Sequence, residues 1–303
     1  MRAVWSFWPA PFALARANAW GTERNHLLAW VLSFECARRH HETTALVTDA
    51  VGAELLVDGL GLEFDDVSLS LDRLGAADRS WWTVGKLVAI AEQSEPFVHL
   101  DPDVFLWNAL PDRLTGAAVF AQNPEAYEPG STYYKPELIE TALTATGGWL
   151  PPEWDWYRRP GVVPRGECCG IVGGNDVRLL RHYAETGLRL IGDPGNAAGL
   201  AALPERQALT ITLEQYLLAA CVEHHRTPIS YLFPTWAAAG DEPTAIEAGF
   251  THLIADTKRE PGVVARLEQR VRREFPGRYE RCVALAGSPG TASRQAPVLA
   301  AGA

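Results

Sequence analysis

The first half of the chain alternates short β-rich runs with helical patterns, and this alternation limits the fold more than any other feature. Strands separated by helices pair in parallel, because each helix carries the chain back along the sheet. Residues 2–7 read as a strand, and residues 25–40 as an amphipathic helix with Leu27, Trp30, Val31 and Phe34 on one face. Residues 43–48 are the next strand, ended by Asp49; a short helix follows around 53–59, and residues 66–71 alternate as a third strand. Ser80 stands where it would cap a helix over 81–94. Pro96-Phe-Val-His-Leu100 is then a short buried strand.

Further strands are expected over 117–121, 170–174 and 229–233. Helices are expected near 136–144, over 176–191, over 213–225 behind Thr212, and within 243–249 and 263–275, with 196–207 a loop. Residues 124–166 change character, being rich in Pro, Gly, Tyr and Trp with a single helix expected. Long irregular segments in compact domains serve as lids or binding loops. The expected fold is α/β: one Rossmann-like domain over 1–285, a mainly parallel central sheet with helices on both faces, and a disordered tail over 286–303.

Composition removes several classes. A formal net charge of −10 argues against a nucleic-acid partner, since a phosphate backbone needs a basic surface. A small anion is not excluded, because a metal ion and a few placed cations can hold a diphosphate locally. No apolar run approaches the ~20 residues of a membrane span, and no leader is visible, so a cytoplasmic protein is expected. The five cysteines, with Cys168 and Cys169 adjacent, suit neither a disulfide framework nor paired zinc ligands and read as reduced thiols. Eleven tryptophans are many: Trp5 and Trp30 read as core, while sugar-handling sites also favour aromatic faces.

The chemistry centres on Asp101-Pro-Asp103, at the carboxyl end of the strand ending at Leu100. Ligands of open α/β sheets bind beyond the carboxyl ends of strands. Two carboxylates one residue apart can offer oxygens to one hard divalent cation. Such a cation neutralises a diphosphate and stabilises charge on a departing phosphate.

These residues carry a family resemblance. Gly85-Lys86-Leu87, followed by the strand and Asp101-Pro-Asp103-Val-Phe-Leu106, resembles the core of the GT-A glycosyltransferases related to glycogenin and bacterial lipopolysaccharide galactosyltransferases. Cys168-Cys-Gly-Ile-Val-Gly-Gly174 resembles that family's Asn-x-Gly strand on the acceptor side, with Cys168 at the Asn position. Leu213-Glu-Gln-Tyr-Leu-Leu218 resembles its Asp-Gln-x-x-Leu helix start, with Glu214 in place of Asp. His252 and Lys258 match the spacing of its third protein metal ligand and its diphosphate-binding Lys; Ala255 replaces a Gly, and Arg259-Glu260 a Pro-Trp. The ordered set, spanning about residues 1–260, also looks like an uncharacterised bacterial group of GT-A-like proteins.

The resemblance implies a GT-A domain that moves a sugar from a nucleotide-diphosphate donor, expected to be a UDP-sugar, to an unidentified acceptor: a small molecule, a glycan or a peptide. It implies Mn2+ or Mg2+ held by Asp101, Asp103 and His252, and a donor bound by Phe7, Asp49, Lys86, Asp101 and Lys258. Glu214 and Gln215 would face the transferred sugar or the acceptor hydroxyl as the catalytic pair, and residues 124–166 would lie on the acceptor side. The relatives retain anomeric configuration, which makes retention the mild expectation.

Other readings stand beside these. Lys86 reads as a solvated helix lysine or as a contact to phosphate or Asp; Glu214 and Gln215 as first-turn helix residues; Asp49 as a strand terminator; His99 as a hydrogen-bonded core residue. The cluster Tyr127, Tyr133, Tyr134, Trp149, Trp154, Trp156 and Tyr157 reads as an acceptor cap or as a satellite core. The chain as a whole reads alternatively as a non-catalytic nucleotide-sugar binder, or as a metal-dependent hydrolase or nucleotidyltransferase. For the last, the Gly-rich phosphate loop with its Lys is lacking.

Overall fold

The computed structural model describes residues 1–75, 77–126 and 134–287, the side chains of 13–18 excepted. The strands are β1 (Arg2–Phe7), β2 (Thr44–Thr48), β3 (Asp66–Ser68), β4 (Phe97–Leu100), β5 (Val104–Leu106), β6 (Val119–Ala121), β7 (Pro124–Ala126), β8 (Arg165–Glu167), β9 (Ile171–Gly174), β10 (Ile229–Tyr231) and β11 (Phe250–His252). Seven of them form the central sheet, in the order β10-β6-β9-β4-β1-β2-β3. Pairs β10–β6, β4–β1, β1–β2 and β2–β3 are parallel, and β9 is antiparallel to both its neighbours. The expected α/β class with a mainly parallel sheet is what the chain forms.

The reversal of β9 follows from its connection. After β6 the chain continues as β7, makes an excursion, and returns as β8 paired antiparallel to β7. The β6–β7 and β8–β9 arms thus form one interrupted hairpin, and no crossover helix returns the chain to its starting edge.

Both faces of the sheet are covered, because its strands are apolar on both sides. Along β1, Val4 joins one core cluster while Ala3 and Trp5 join the other; along β4, Phe97 and Val98 divide likewise. One face carries the helices Val84–Ala91, Val177–Gly192 and Leu217–His224. The other carries Glu23–Ala37, over which Pro261–Glu274 and Pro276–Gly287 pack as an outer layer. Glu23–Ala37 is consequently buried nearly all round, with Asn25 through Ala37 inaccessible, so its polar–apolar contrast is weak. Trp5 and Trp30 lie fully in the core, as expected.

Several element boundaries differ from the expectation. The second helix begins at Glu23, where the Thr22 hydroxyl accepts from Asn25 N at 3.2 Å. The helix expected over 81–94 is only Val84–Ala91, and Ser80 does not cap it. Thr83 stands at its cap position with its hydroxyl committed to Thr210 Oγ1 at 2.6 Å. Residues 197–202 and 206–211 are helical rather than a loop, and Pro9–Trp20 and Pro152–Tyr157 are helices with no expected counterpart. Thr212 does not start a helix. It opens a π-helical turn, Thr212–Tyr216, inside a helical run from Arg206 to His224. Residues 286–287 finish a helix; the rest of the expected tail, from 288, lies outside the described residues, as do Tyr127 and Tyr133.

Candidate metal centre

Asp101 and Asp103 occupy the turn between β4 and β5, at the carboxyl edge of the parallel strands. Backbone bonds set the turn: Asp101 N donates to Gly170 O at 3.0 Å, and Val104 N to Asp101 O at 3.0 Å. Ser33 Oγ, itself held by Trp5 Nε1, reaches Asp101 O at 3.3 Å. His252 arrives from far along the chain because β11 pairs antiparallel with β5, in a register that sets His252 opposite Val104. Leu253 N donates to Asp103 O at 3.0 Å and closes the corner. One ligand atom each from Asp101, Asp103 and His252 then lies within 4.8 Å of the others.

The hydrogen bonds define the tautomer of His252. Its Nδ1 lies 2.8 Å from Gln122 Oε1, and a carbonyl oxygen can only accept, so Nδ1 carries the proton. Nε2 is left with a lone pair, 3.6 Å from Asp103 Oδ1. Desolvation lowers the His252 pKa against the pull of both aspartates, which keeps the ring neutral. Asp103 Oδ1 is buried with no hydrogen-bond partner among the described residues. A lone pair and an unsatisfied carboxylate oxygen facing each other form an arrangement that a cation relieves and that is costly without one. The donor set of two carboxylates and one imidazole fits Mn2+ or Mg2+. Gly170 makes the arrangement possible: a Cβ there would lie 2.5 Å from Gln122 Oε1 and 2.6 Å from His252 Nδ1.

The two aspartates are tuned apart. Burial pushes the Asp101 carboxyl up to about 6 against the pull of Lys86, and the neighbouring Asp103 charge adds to the rise. Burial also acts on Asp103, but the Lys258 ammonium at 2.5 Å outweighs it and holds this carboxyl below its ordinary value. Lys258 comes from the 3-10 turn Ala255–Arg259, with its ammonium 5.4 Å from the Trp20 ring.

Lys86 is saturated rather than available. Its ammonium lies 2.7 Å from Asp101 Oδ1, 2.6 Å from Glu214 Oε1 and 3.0 Å from Cys169 O, which occupies all three donors. Of the readings open to it, the Asp contact is the one formed, and no proton remains for a phosphate. Glu214 therefore stands behind Lys86 as a buried counter-charge. The π turn aims the next side chain elsewhere: Gln215 Oε1 accepts from the Tyr134 hydroxyl, which also meets Glu125 Oε2. Phe7 is packed against Phe12 and Trp30 at the end of β1. Asp49 caps the helix Ala50–Ala53, accepting from Gly52 N at 2.8 Å. His99 is a buried core residue whose Nε2 meets Ser6 Oγ at 2.9 Å.

In the aromatic cluster, Trp154 and Tyr157 are fully buried against Tyr216, with ring centroids 5.0 Å apart in each pair. They are core, not a cap. All five cysteines are buried free thiols, and burial raises Cys168 and Cys169 well above the ordinary range, so neither is a nucleophile. Reading the sequence alone missed Gln122 and Glu125, and it named Tyr134 only as one of the aromatic cluster. Gln122 follows the last residue of β6, so the strand-end rule that selected Asp101 pointed to it too.

Residues 1–285 match the family of unknown function DUF6734, and the chain belongs to that family. No curated protein matches the sequence. Among solved structures, mouse xyloside xylosyltransferase 1 in its apo form aligns at 14% identity and a TM-score of 0.38, over 84% of this chain and 98% of its own. No helix among the described residues is long and apolar enough to cross a membrane.

Proposed function

We propose that this DUF6734 protein is a metal-dependent glycosyltransferase that takes a sugar from a nucleotide-diphosphate donor, with uridine the expected base. The observation that carries the reading is the pair formed by Asp103 Oδ1, buried and without a hydrogen-bond partner, and the His252 Nε2 lone pair 3.6 Å away, with Asp101 beside them. A cation site at the carboxyl edge of a mainly parallel sheet is where a diphosphate is expected. The order of motifs in the chain supports the same reading.

In this scheme Asp101, Asp103 and His252 hold Mn2+ or Mg2+. The ion supplies charge neutralisation for the diphosphate and for the oxygen that departs with it. Lys258, partly exposed above Asp103, contacts the phosphates. Lys86 does not touch the donor; it bridges Asp101 and Glu214 and so acts as a positioning residue. Phe7 and Asp49, at the ends of β1 and β2, border the nucleoside side. Gln215, Tyr134 and Glu125 are the polar groups offered to the sugar or to the acceptor hydroxyl. A raised Glu125 carboxyl, pushed up by burial, suits proton exchange there.

The test is calorimetric titration with UDP, GDP and their sugar conjugates, first with Mn2+ and then with EDTA. Binding of one nucleotide that requires metal, and that disappears in the folded Asp103→Asn protein, is expected. Equal affinity with EDTA, or in Asp103→Asn, overturns the site. Product analysis then separates a conjugate from free sugar, which would mark a hydrolase.

A further inference from the structure

A second group of ligating side chains shares no residue with the first. Glu153 sits on Pro152–Tyr157, His182 on Val177–Gly192, and His225 directly after Leu217–His224. Glu153 is only 4% exposed, yet its Oε1 receives both rings: His182 Nε2 at 2.6 Å and His225 Nε2 at 3.3 Å. The rings meet edge to face, with centroids 5.0 Å apart. The three donor atoms lie within 4.8 Å of one another. The imidazoles are 45% and 39% exposed, so one side of the group faces solvent.

We propose that Glu153, His182 and His225 form a Zn2+ site completed by water. Two imidazole nitrogens and one carboxylate oxygen are a borderline donor set that suits zinc, whereas the carboxylate-rich centre at Asp101 suits harder ions. In the metal-free arrangement both Nε2 atoms carry the protons that Glu153 Oε1 accepts. On metal binding each neutral ring shifts its proton to Nδ1, which frees the Nε2 lone pairs, and Oε1 exchanges its two hydrogen bonds for the ion. No covalent bond breaks.

The site would tie the helix Pro152–Tyr157 to the two helices under it. That helix ends the excursion between β7 and β8, and its Trp154 and Tyr157 rest on Tyr216, next to Gln215. Zinc here braces the sugar-side residues from outside without touching them, and binding at this site does not depend on the transferase reading.

The experiment is Zn2+ titration of the full chain against a chromophoric chelator, with thermal unfolding at each zinc ratio. The proteins are the wild type, Asp103→Asn, and the His182→Ala/His225→Ala double variant, whose substitutions are on exposed side chains and whose fold is checked by circular dichroism. One zinc equivalent that survives Asp103→Asn and is lost in the double variant is expected, and with it a zinc-induced rise in Tm that the double variant lacks. No zinc equivalent in Asp103→Asn, or the same zinc titration in the double variant, overturns the site. Failure of UDP binding bears only on the Asp101 centre.

Discussion

Lys86 shows how one buried cation organises several acids. Burial opposes its charge, and the Asp101 and Glu214 carboxylates more than restore it. Lys86→Met leaves the buried Glu214 carboxylate and the partly exposed Asp101 carboxylate without a counter-ion, so a loss of about 3 kcal/mol in unfolding free energy is expected by urea titration. A value near zero would mean that the acids repack or take up protons at little cost. The raised Asp101 carboxyl gives a pH signature. Above about 6 the group is ionised in the free protein; below about 6 it holds a proton that a metal must displace. Mn2+ affinity is therefore expected to be level above that pH and to fall by up to about tenfold per unit beneath it. The downward shift of Asp103 removes that residue as the source of the fall. Affinity that begins to fall only near pH 4 would assign the proton elsewhere. Asp101 and Asp103 stood out in the sequence by type and spacing, and His252 and Lys258 through the family resemblance. The saturation of Lys86 did not, because its partners Glu214 and Cys169 are remote in the chain.

Two elements position the centre, and each departs from regular geometry. The π-helical turn at Thr212–Tyr216 directs Glu214 to Lys86 and Gln215 to Tyr134, while the Tyr183 hydroxyl donates to Glu214 O at 2.9 Å. Single π turns inside helices recur at functional sites because they re-aim side chains. No propensity pattern distinguishes such a turn from an ordinary one, which is why Thr212 read as a helix start. The second element is the turn bearing Lys258, where Ala255 sits at φ +48°, in the left-handed region that a Cβ disfavours. The related motif carries Gly at this place, which fits the backbone. Ala255→Gly relieves about 1–2 kcal/mol of left-handed cost and returns part of it as unfolded-chain entropy, so a net gain of up to about 1 kcal/mol in denaturant unfolding is expected. A loss would show that the Ala methyl packs more favourably than the turn strains.

At the scale of the whole molecule, the outer pair of helices Pro261–Glu274 and Pro276–Gly287 is structural. Val271 and Cys282 are fully buried in the cluster that includes the helix Glu23–Ala37. Ending the chain before Pro261 uncovers that apolar helix, and loss of a cooperative thermal transition is expected by calorimetry; an unchanged transition would make the outer layer dispensable. From the sequence alone came the α/β class, the positions of most strands along the chain, the charge that disfavours nucleic acid, and the acid pair at a strand end. All of these depend on local pattern and composition, which a chain carries without its neighbours. Only the tertiary structure decided that β9 runs backwards, that His252 lies beside Asp103 through the β5–β11 pairing, that Lys86 is spent on acids, and that Trp154 and Tyr157 are core. Each is a contact between residues far apart in the chain, selected by which buried charges and apolar faces could be satisfied together.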